Sequence, residues 1–222
     1  MTIAYPEVGL FCELDESLVL ELVVENQHIF SSLISDIHAQ MNGGDGKFVL
    51  AKDNKPLELR KSAELITQII PFEINQRELI TKLYGELKNI SVNENHYERT
   101  QQLMTDISAY LYAVTEELEN DITVGQPQDI SGLLKAFDVR FAESGMSLPE
   151  QILEYMIAVN DFKSERIFFF VNLRSYLTDA QAQLLYKNIL LKKMTAVCIE
   201  NTAHPRLSTS STIIIDQDMC VI

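Results

Sequence analysis

Four carboxylates stand close together near the middle of the chain, and their type and spacing suit metal chemistry. Within six positions the sequence supplies Glu116, Glu117, Glu119 and Asp121, in a stretch without Lys or Arg. Carboxylates on an irregular segment favour a hard cation such as Ca²⁺, which accepts roughly six to eight oxygen ligands in flexible geometry. The cluster ends a long predicted helix, where acids oppose the helix dipole and a counter-ion is stabilising. Two interpretations remain open, a calcium site and a solvated acidic helix end.

Basic residues form a second cluster, nearer the N-terminus. Five of them lie within fifteen positions: Lys47, Lys52, Lys55, Arg60 and Lys61. Such a strip could contact nucleic-acid phosphates, which Lys and Arg bind without regard to base sequence. It could equally be a solvated sheet edge, because lysines on an edge strand discourage pairing with another chain. The sequence alone leaves both interpretations open.

Motifs for catalysis are absent from the sequence. The four histidines form no His-x-x-x-His pair, and no Gly-x-Ser-x-Gly segment is present. The three cysteines are odd in number and widely spaced, which argues against a disulfide framework or a zinc site. The glycine-rich segment 42–47 resembles the end of a phosphate-binding loop, but a predicted helix precedes it and Phe48 replaces the required hydroxyl. We therefore predict a helix stop and a turn at this segment, and no enzymatic activity.

The composition is that of an ordinary globular protein. Of 222 residues, 46% are hydrophobic, and 18 basic residues stand against 32 acidic ones, for a net charge of -14. These figures exclude disordered and disulfide-rich classes. The first basic residue is Lys47, so the N-terminus does not have the charged start of a signal peptide, and no apolar run is long enough to span a bilayer. We expect a cytoplasmic protein without a membrane partner, and the acidic charge by itself argues against binding to nucleic acid.

The elements that must position these clusters alternate between strands and helices. The apolar pattern predicts helices at 27–41, 76–90, 95–119, 148–162 and 178–193, and strands at 18–24, 47–51, 57–59, 139–141, 167–171, 195–199 and 212–215. Strands separated by helices of this length pair in parallel through a crossover. We predict an α/β fold with a head domain from residues 1–74 and 138–222, whose sheet is partly parallel. A helical leg, built around a long hairpin, is inserted at 75–137.

The order of the core segments resembles one known family. The segments are Leu22–Asn26, Ser62–Thr67, Leu133–Arg140 and Phe169–Thr178. They are similar to segments of the small accessory proteins of type II-A CRISPR adaptation, and Phe169–Thr178 is the most telling of them. The similarity extends over nearly the whole chain, from about residue 18 to 201. It rests on core segments and not on a catalytic signature.

The resemblance implies both an architecture and a function. Members of that family have an α/β head and a helical leg, assemble as homotetrameric rings, bind Ca²⁺, and take double-stranded DNA ends through a positive central hole. They recognise no sequence and act as non-enzymatic adaptors in spacer acquisition, beside the integrase subunits and the effector nuclease. Their head resembles a nucleotide-binding fold that lacks the phosphate loop. A ring with basic residues lining its hole and acidic residues on its outer surface also reconciles a net charge of -14 with DNA binding.

Carried onto this chain, the family's calcium site falls on Glu116, Glu117, Glu119 and Asp121. Residues 123–128 depart from the family, which keeps further acids there, so that either one ion site is lost or Asp129 substitutes. The lysines of the hole do not carry over position by position. Charge clustering alone selects the predicted DNA contacts, which are Lys47, Lys52, Lys55, Arg60, Lys61, Lys135 and Arg140.

Two functions from other classes stay open. The chain could be an acidic α/β protein-interaction adaptor without affinity for DNA. It could also be a degenerate nucleotide-binding protein, although the missing phosphate loop counts against this.

Overall fold

Strands and helices alternate along most of the chain, as the apolar pattern predicts. The structure is a computed structural model that describes residues 1–163 and 165–222. Its strands are β1 (Thr2–Tyr5), β2 (Leu10–Glu13), β3 (Val19–Val24), β4 (Val49–Lys52), β5 (Lys55–Pro56), β6 (Ala63–Ile66), β7 (Ile167–Val171), β8 (Thr195–Glu200) and β9 (Ser210–Ile215). Its helices are α1 (Gln27–Met41), α2 (Leu59–Ser62), α3 (Arg77–Ser91), α4 (Tyr97–Thr115), α5 (Ser131–Ala136), α6 (Leu148–Lys163) and α7 (Asp179–Leu191).

The chain divides into two compact units, which we call the head and the leg. The head comprises Met1–Ile74 and Glu143–Ile222, and the leg comprises Asn75–Ala142. The sequence pattern put the second boundary of the insertion between residues 137 and 138, and the structural unit runs to Ala142.

A five-stranded sheet forms the centre of the head. Its order is β6-β7-β8-β3-β9, and every neighbouring pair in it is parallel. All residues of β3 and β7 are buried, as strands covered on both faces must be. The parallel pairing confirms the predicted α/β class, and the crossover prediction for the last third of the chain is correct.

Specific caps fix where the helices of the head begin. The Asn26 side chain accepts hydrogen bonds from the backbone N–H groups of His28 and Ile29 and so starts α1. At α7, Thr178 and Gln181 form a capping box, in which each side chain bonds the other's backbone N–H. Both starting points were visible in the sequence, because cap residues directly precede the apolar periodicity.

A second, antiparallel sheet with the order β2-β1-β4-β5 completes the head. Asp53 and Asn54 join β4 to β5, and both have positive φ angles, 51° and 60°, as a tight two-residue hairpin turn requires. The predicted partner strand at 57–59 was therefore misplaced, because the strand that pairs with β4 is β5, which directly follows the turn. The Phe48 ring meets the Phe169 ring edge to face at 5.4 Å, which packs this sheet's side of the head against β7.

The leg consists of α3, α4 and α5 with irregular connections. The predicted strand at 139–141 was wrong, because the backbone of Phe141 is satisfied by a side chain instead of a neighbouring strand. Asn75 donates to the Phe141 carbonyl at 3.0 Å and accepts from the Phe141 N–H at 2.9 Å. This pair, the Asn75–Phe141 clamp, closes the leg where the chain enters and leaves it.

Candidate functional site

The acidic segment begins where α4 ends. Glu116, Glu117, Glu119 and Asp121 are all exposed, and α4 stops at Thr115, four residues before the predicted end. The carboxylates make no salt bridge within the part of the chain that the structure describes. Their oxygens are the hard donors that Ca²⁺ prefers, so the donor set fits that ion.

The acids are not gathered into a closed site. Among residues 1–163 and 165–222, no group of three or more His, Cys, Asp or Glu side chains converges closely enough to hold a metal ion. Asp129 is engaged elsewhere: it accepts from Lys88 Nζ at 2.7 Å and from the Ser131 N–H at 2.8 Å. These partners hold the pKa of Asp129 well below its ordinary value. Its proposed role as a calcium ligand stays a prediction that would require the Lys88 ion pair to open.

The basic cluster of the head separates into paired and unpaired cations. Lys47 Nζ lies 2.8 Å from a Glu7 oxygen, and Lys61 pairs with Glu58 one turn away. Arg60 is exposed on the short helix α2.

Lys52 and Lys55 lie directly opposite each other across the β4–β5 hairpin. Both are exposed. Like charges at paired positions of a hairpin repel each other, and an anion bound between them would remove that repulsion. We call this pair the lysine hairpin.

The cations of the leg lie partly along a groove that the sequence pattern did not reveal. Arg140 pairs with Asp138 at 3.2 Å, whereas Lys135 lines a groove of about 670 Å³ between α3 and α5. Arg77 and Lys88 line the same groove. Helical spacing puts Arg77 and Lys88 on one face of α3, but only the packing of α5 brings Lys135 to them.

The segment Phe169–Thr178 holds a buried ionic network. The Arg174 side chain is wholly buried, and its guanidinium donates to Glu21 and, at 2.7 Å, to Asp179. The Arg174 backbone N–H donates to the Glu200 carboxylate at 2.9 Å. Such burial is tolerated only when charges are paired and hydrogen-bonded, so the core constrains the sequence of this segment.

One carboxylate oxygen of this network has no hydrogen-bond donor in the described part of the chain. Glu200 Oε2 lies 3.6 Å from Nε2 of His204, which also has no hydrogen-bond partner there. Loss of hydration raises the pKa of Glu200 to about 7, and burial lowers the pKa of His204. The pair is therefore a place where protonation and stability are coupled.

No helix in the described ranges combines the length and the hydrophobicity needed to cross a bilayer.

Comparison with known proteins gives a consistent result. A family model described as CRISPR-associated protein (Cas_Csn2) matches residues 40–219. The CRISPR-associated protein Csn2 of Streptococcus agalactiae is 25% identical in an alignment of 219 residues, and the match covers 94% of this chain and 94% of that protein. The crystal structure of Stu0660 of Streptococcus thermophilus has a similar fold, with a TM-score of 0.56 and 10% identity, over 97% of this chain and 75% of that one. Because the family model covers most of the chain, including the Phe169–Thr178 segment, the protein belongs to the Cas_Csn2 family of CRISPR-associated proteins.

Proposed function

We propose that this protein binds the ends of double-stranded DNA as a homotetrameric ring and assists the acquisition of new CRISPR spacers. It has no enzymatic activity of its own in this proposal, and it works beside the integrase subunits and the effector nuclease of the same system. The family assignment supports the role in adaptation. Features of the head and of the leg support the binding of DNA, the assembly of a ring and the binding of Ca²⁺.

The lysine hairpin is the observation that carries the proposal of DNA binding. Backbone pairing holds two exposed cations side by side in a chain of net charge -14. Non-specific binding depends on the field where phosphates pass, and not on the net charge. Exposed Arg60 extends the same strip along the chain. Because phosphates carry no base information, such contacts would be indifferent to sequence.

Self-assembly is supported by the uncovered apolar surface of α4. No residue of this 19-residue helix is buried in the single chain. Leu103, Tyr110, Leu111 and Val114 are all more than 40% exposed, and their spacing puts them on neighbouring turns. Monomeric proteins seldom leave such a surface uncovered, so a second copy of the chain is its natural occupant in a ring.

In this proposal the acidic segment binds Ca²⁺. Glu116, Glu117, Glu119 and Asp121 would supply the oxygens, and the ion would neutralise carboxylates that follow the C-terminal end of α4. Since the side chains are exposed and dispersed, binding would order the segment as well as neutralise it. The expected consequence is a calcium-dependent gain in stability.

Retention of linear and closed DNA tests the proposal directly. A plasmid would be offered in nicked circular and linearised form, with and without Ca²⁺, in an electrophoretic shift assay. A ring that must thread onto an end retains the linear form and not the circle. Equal retention of both forms would overturn threading. Retention of neither, under all conditions, would support the acidic adaptor without DNA affinity, which the net charge of -14 favours.

The residues are tested by a matched pair of variants. Lys52→Ala with Lys55→Ala should weaken retention of the linear form. Lys187→Ala with Lys192→Ala removes the same charge from exposed positions elsewhere in the head and should not. If both variants weaken binding equally, the lysine hairpin has no special role and only the overall charge matters.

A further inference from the structure

The groove between α3 and α5 is a basic concave surface of the leg, and the proposed function does not use it. Three of its nine lining residues are Arg or Lys, and none of the nine is Asp or Glu. This composition is unusual in a chain with 18 basic and 32 acidic residues. The volume of about 670 Å³ falls in the range of small-molecule sites, roughly 300 to 1,000 Å³. A groove of this size can accept a single small ligand.

The two helices run antiparallel, and this orders the cations along the groove. Asp129, just before α5, bonds to Lys88 near the end of α3, and the Leu134 carbonyl accepts a hydrogen bond from the Tyr84 hydroxyl, nearer its beginning. Lys135 therefore lies toward Arg77, at the end of the groove that Asn75 also lines. Lys88 lies at the opposite end and is already paired with Asp129. The groove cations that make no ion pair among the described residues are thus Arg77 and Lys135.

Part of the groove lining is apolar and aromatic. Ile80 and Tyr84 line it, and the hydrogen bond from Tyr84 to the Leu134 carbonyl, at 3.3 Å, holds the ring in place. Flat heterocycles stack on such a fixed aromatic ring. A ring-binding surface next to a pair of cations is complementary to a ligand that carries both a planar ring and phosphate.

Gly85 supports the same conclusion from an independent direction. It lies inside α3 and lines the groove, and a Cβ added there would meet no atom within 4 Å. Glycine is the least favourable helix residue after proline, and here neither packing nor a positive φ calls for it. The missing side chain keeps the groove open beside Tyr84. A ligand that approaches the backbone of α3 here would account for a glycine at this position.

We propose that the α3–α5 groove of the leg binds a nucleotide unit, with the phosphates between Arg77 and Lys135 and the base against Tyr84 and Gly85. Free nucleotides and the unpaired terminal nucleotides of a DNA strand share this chemistry. This site does not depend on the proposed binding of duplex DNA, so the two proposals can be tested separately.

Calorimetric titration distinguishes the two sources of the ligand. Full-length protein, at low salt and without divalent cations, would be titrated with ADP, with a blunt duplex, and with the same duplex carrying a 5′-phosphorylated single-stranded overhang. Binding of ADP assigns the groove to free nucleotides. Binding of the overhang duplex more tightly than the blunt one, without binding of ADP, assigns it to strand ends. If ADP does not bind and the overhang adds nothing, the proposal is wrong. The blunt duplex alone reports on the proposed DNA function.

Two variants locate the binding. Arg77→Ser with Lys135→Ser should weaken the nucleotide-dependent affinity by at least about tenfold, because this variant removes two charge-assisted hydrogen bonds to phosphate. Lys82→Ser with Arg99→Ser is the matched control, since it removes the same charge from exposed positions of the leg outside the groove. Equal weakening in both variants would mean general charge attraction and would overturn the site.

Gly85→Leu tests the groove without changing its charge. The new side chain fills the space beside Tyr84, so nucleotide binding should be abolished. The melting temperature should hold or rise, because leucine is a better helix former than glycine. Undiminished binding in this variant would contradict the proposed position of the base.

Discussion

Replacing the buried Glu200 with Gln should stabilise the protein, and by an amount that depends on pH. Glu200 is fully buried at the end of β8, and loss of hydration, opposed in part by the Arg174 backbone N–H, raises its pKa from 4.5 to about 7. The folded protein therefore keeps this proton up to about pH 7, while the unfolded chain releases it near pH 4.5. Stability contributed by the protonated acid is complete below pH 4.5 and is lost as the pH rises to about 7. Glutamine stays neutral at every pH, so the Glu200→Gln protein does not lose this stability as the pH rises.

The expected size of the effect follows from that pKa difference. Glu200→Gln should increase the free energy of unfolding by about 3 kcal/mol at pH 8 and by only about 1 kcal/mol at pH 5. The amide also retains the oxygen that accepts from the Arg174 N–H, and its NH₂ can donate to Nε2 of His204, 3.6 Å from the present oxygen. His204, Glu21 and Arg174 are present in both proteins, so their own contributions largely cancel in the difference.

Urea unfolding followed by circular dichroism at several pH values between 5 and 8.5 measures this difference. Both proteins must be compared at one concentration, because assembly adds stability by mass action. Glu154→Gln, an exposed substitution of the same kind on α6, should change the free energy of unfolding by less than about 0.5 kcal/mol. The reasoning is refuted if Glu200→Gln is less stable than the parent at pH 8, or if the difference between the two proteins is the same at pH 5 and pH 8. The first result would mean that the network needs the negative charge, and the second that Glu200 does not take up a proton in this range.

Three further outcomes are expected. Glu117→Gln with Glu119→Gln should abolish the gain in melting temperature that Ca²⁺ produces, which corresponds to about 2.7 kcal/mol at a hundredfold excess over Kd. The exposed pair Glu94→Gln with Glu98→Gln should retain that gain, and a wild-type melting temperature indifferent to Ca²⁺ would mean that the segment is a solvated helix end. Removing Lys52 and Lys55 should flatten the dependence of log K for linear duplex on log salt by about 0.9 for each phosphate that these two lysines neutralise, and an unchanged slope would exclude them as phosphate ligands. Purified protein should neither cleave DNA nor hydrolyse ATP, which nuclease and phosphate-release assays check; metal-dependent nicking that disappears in Asp121→Asn would contradict this.

Regular periodicity in the sequence predicted the head well. The helix predicted at 27–41 and the strand predicted at 167–171 are confirmed with their bounds. In α1 the buried Ile29, Leu33 and Ile37 recur on one face, and β7 is an unbroken buried apolar run. Both patterns are local, and both agree with the burial that the tertiary structure imposes.

Features that depend on distant partners could not be predicted in this way. The apparent strand at 139–141 is held by Asn75, 66 residues earlier in the chain, and no local pattern records that bond. The basic groove depends on the packing of α5 against α3, so Lys135 was selected while Arg77 and Lys88 were not. Asp129 was grouped with the acids nearest in sequence, although its carboxylate is bound by Lys88.

The Asn75–Phe141 clamp has a consequence for how such a chain can evolve. Because the side chain of Asn75, the first residue of the leg, binds the backbone of Phe141, the last but one, the two ends of this unit lie side by side, as they do in domains that are inserted into others. The segment between them can be lengthened, shortened or exchanged without separating the strands that precede Asn75 from those that follow Phe141. Changes of length within the leg therefore need not alter the parallel sheet of the head.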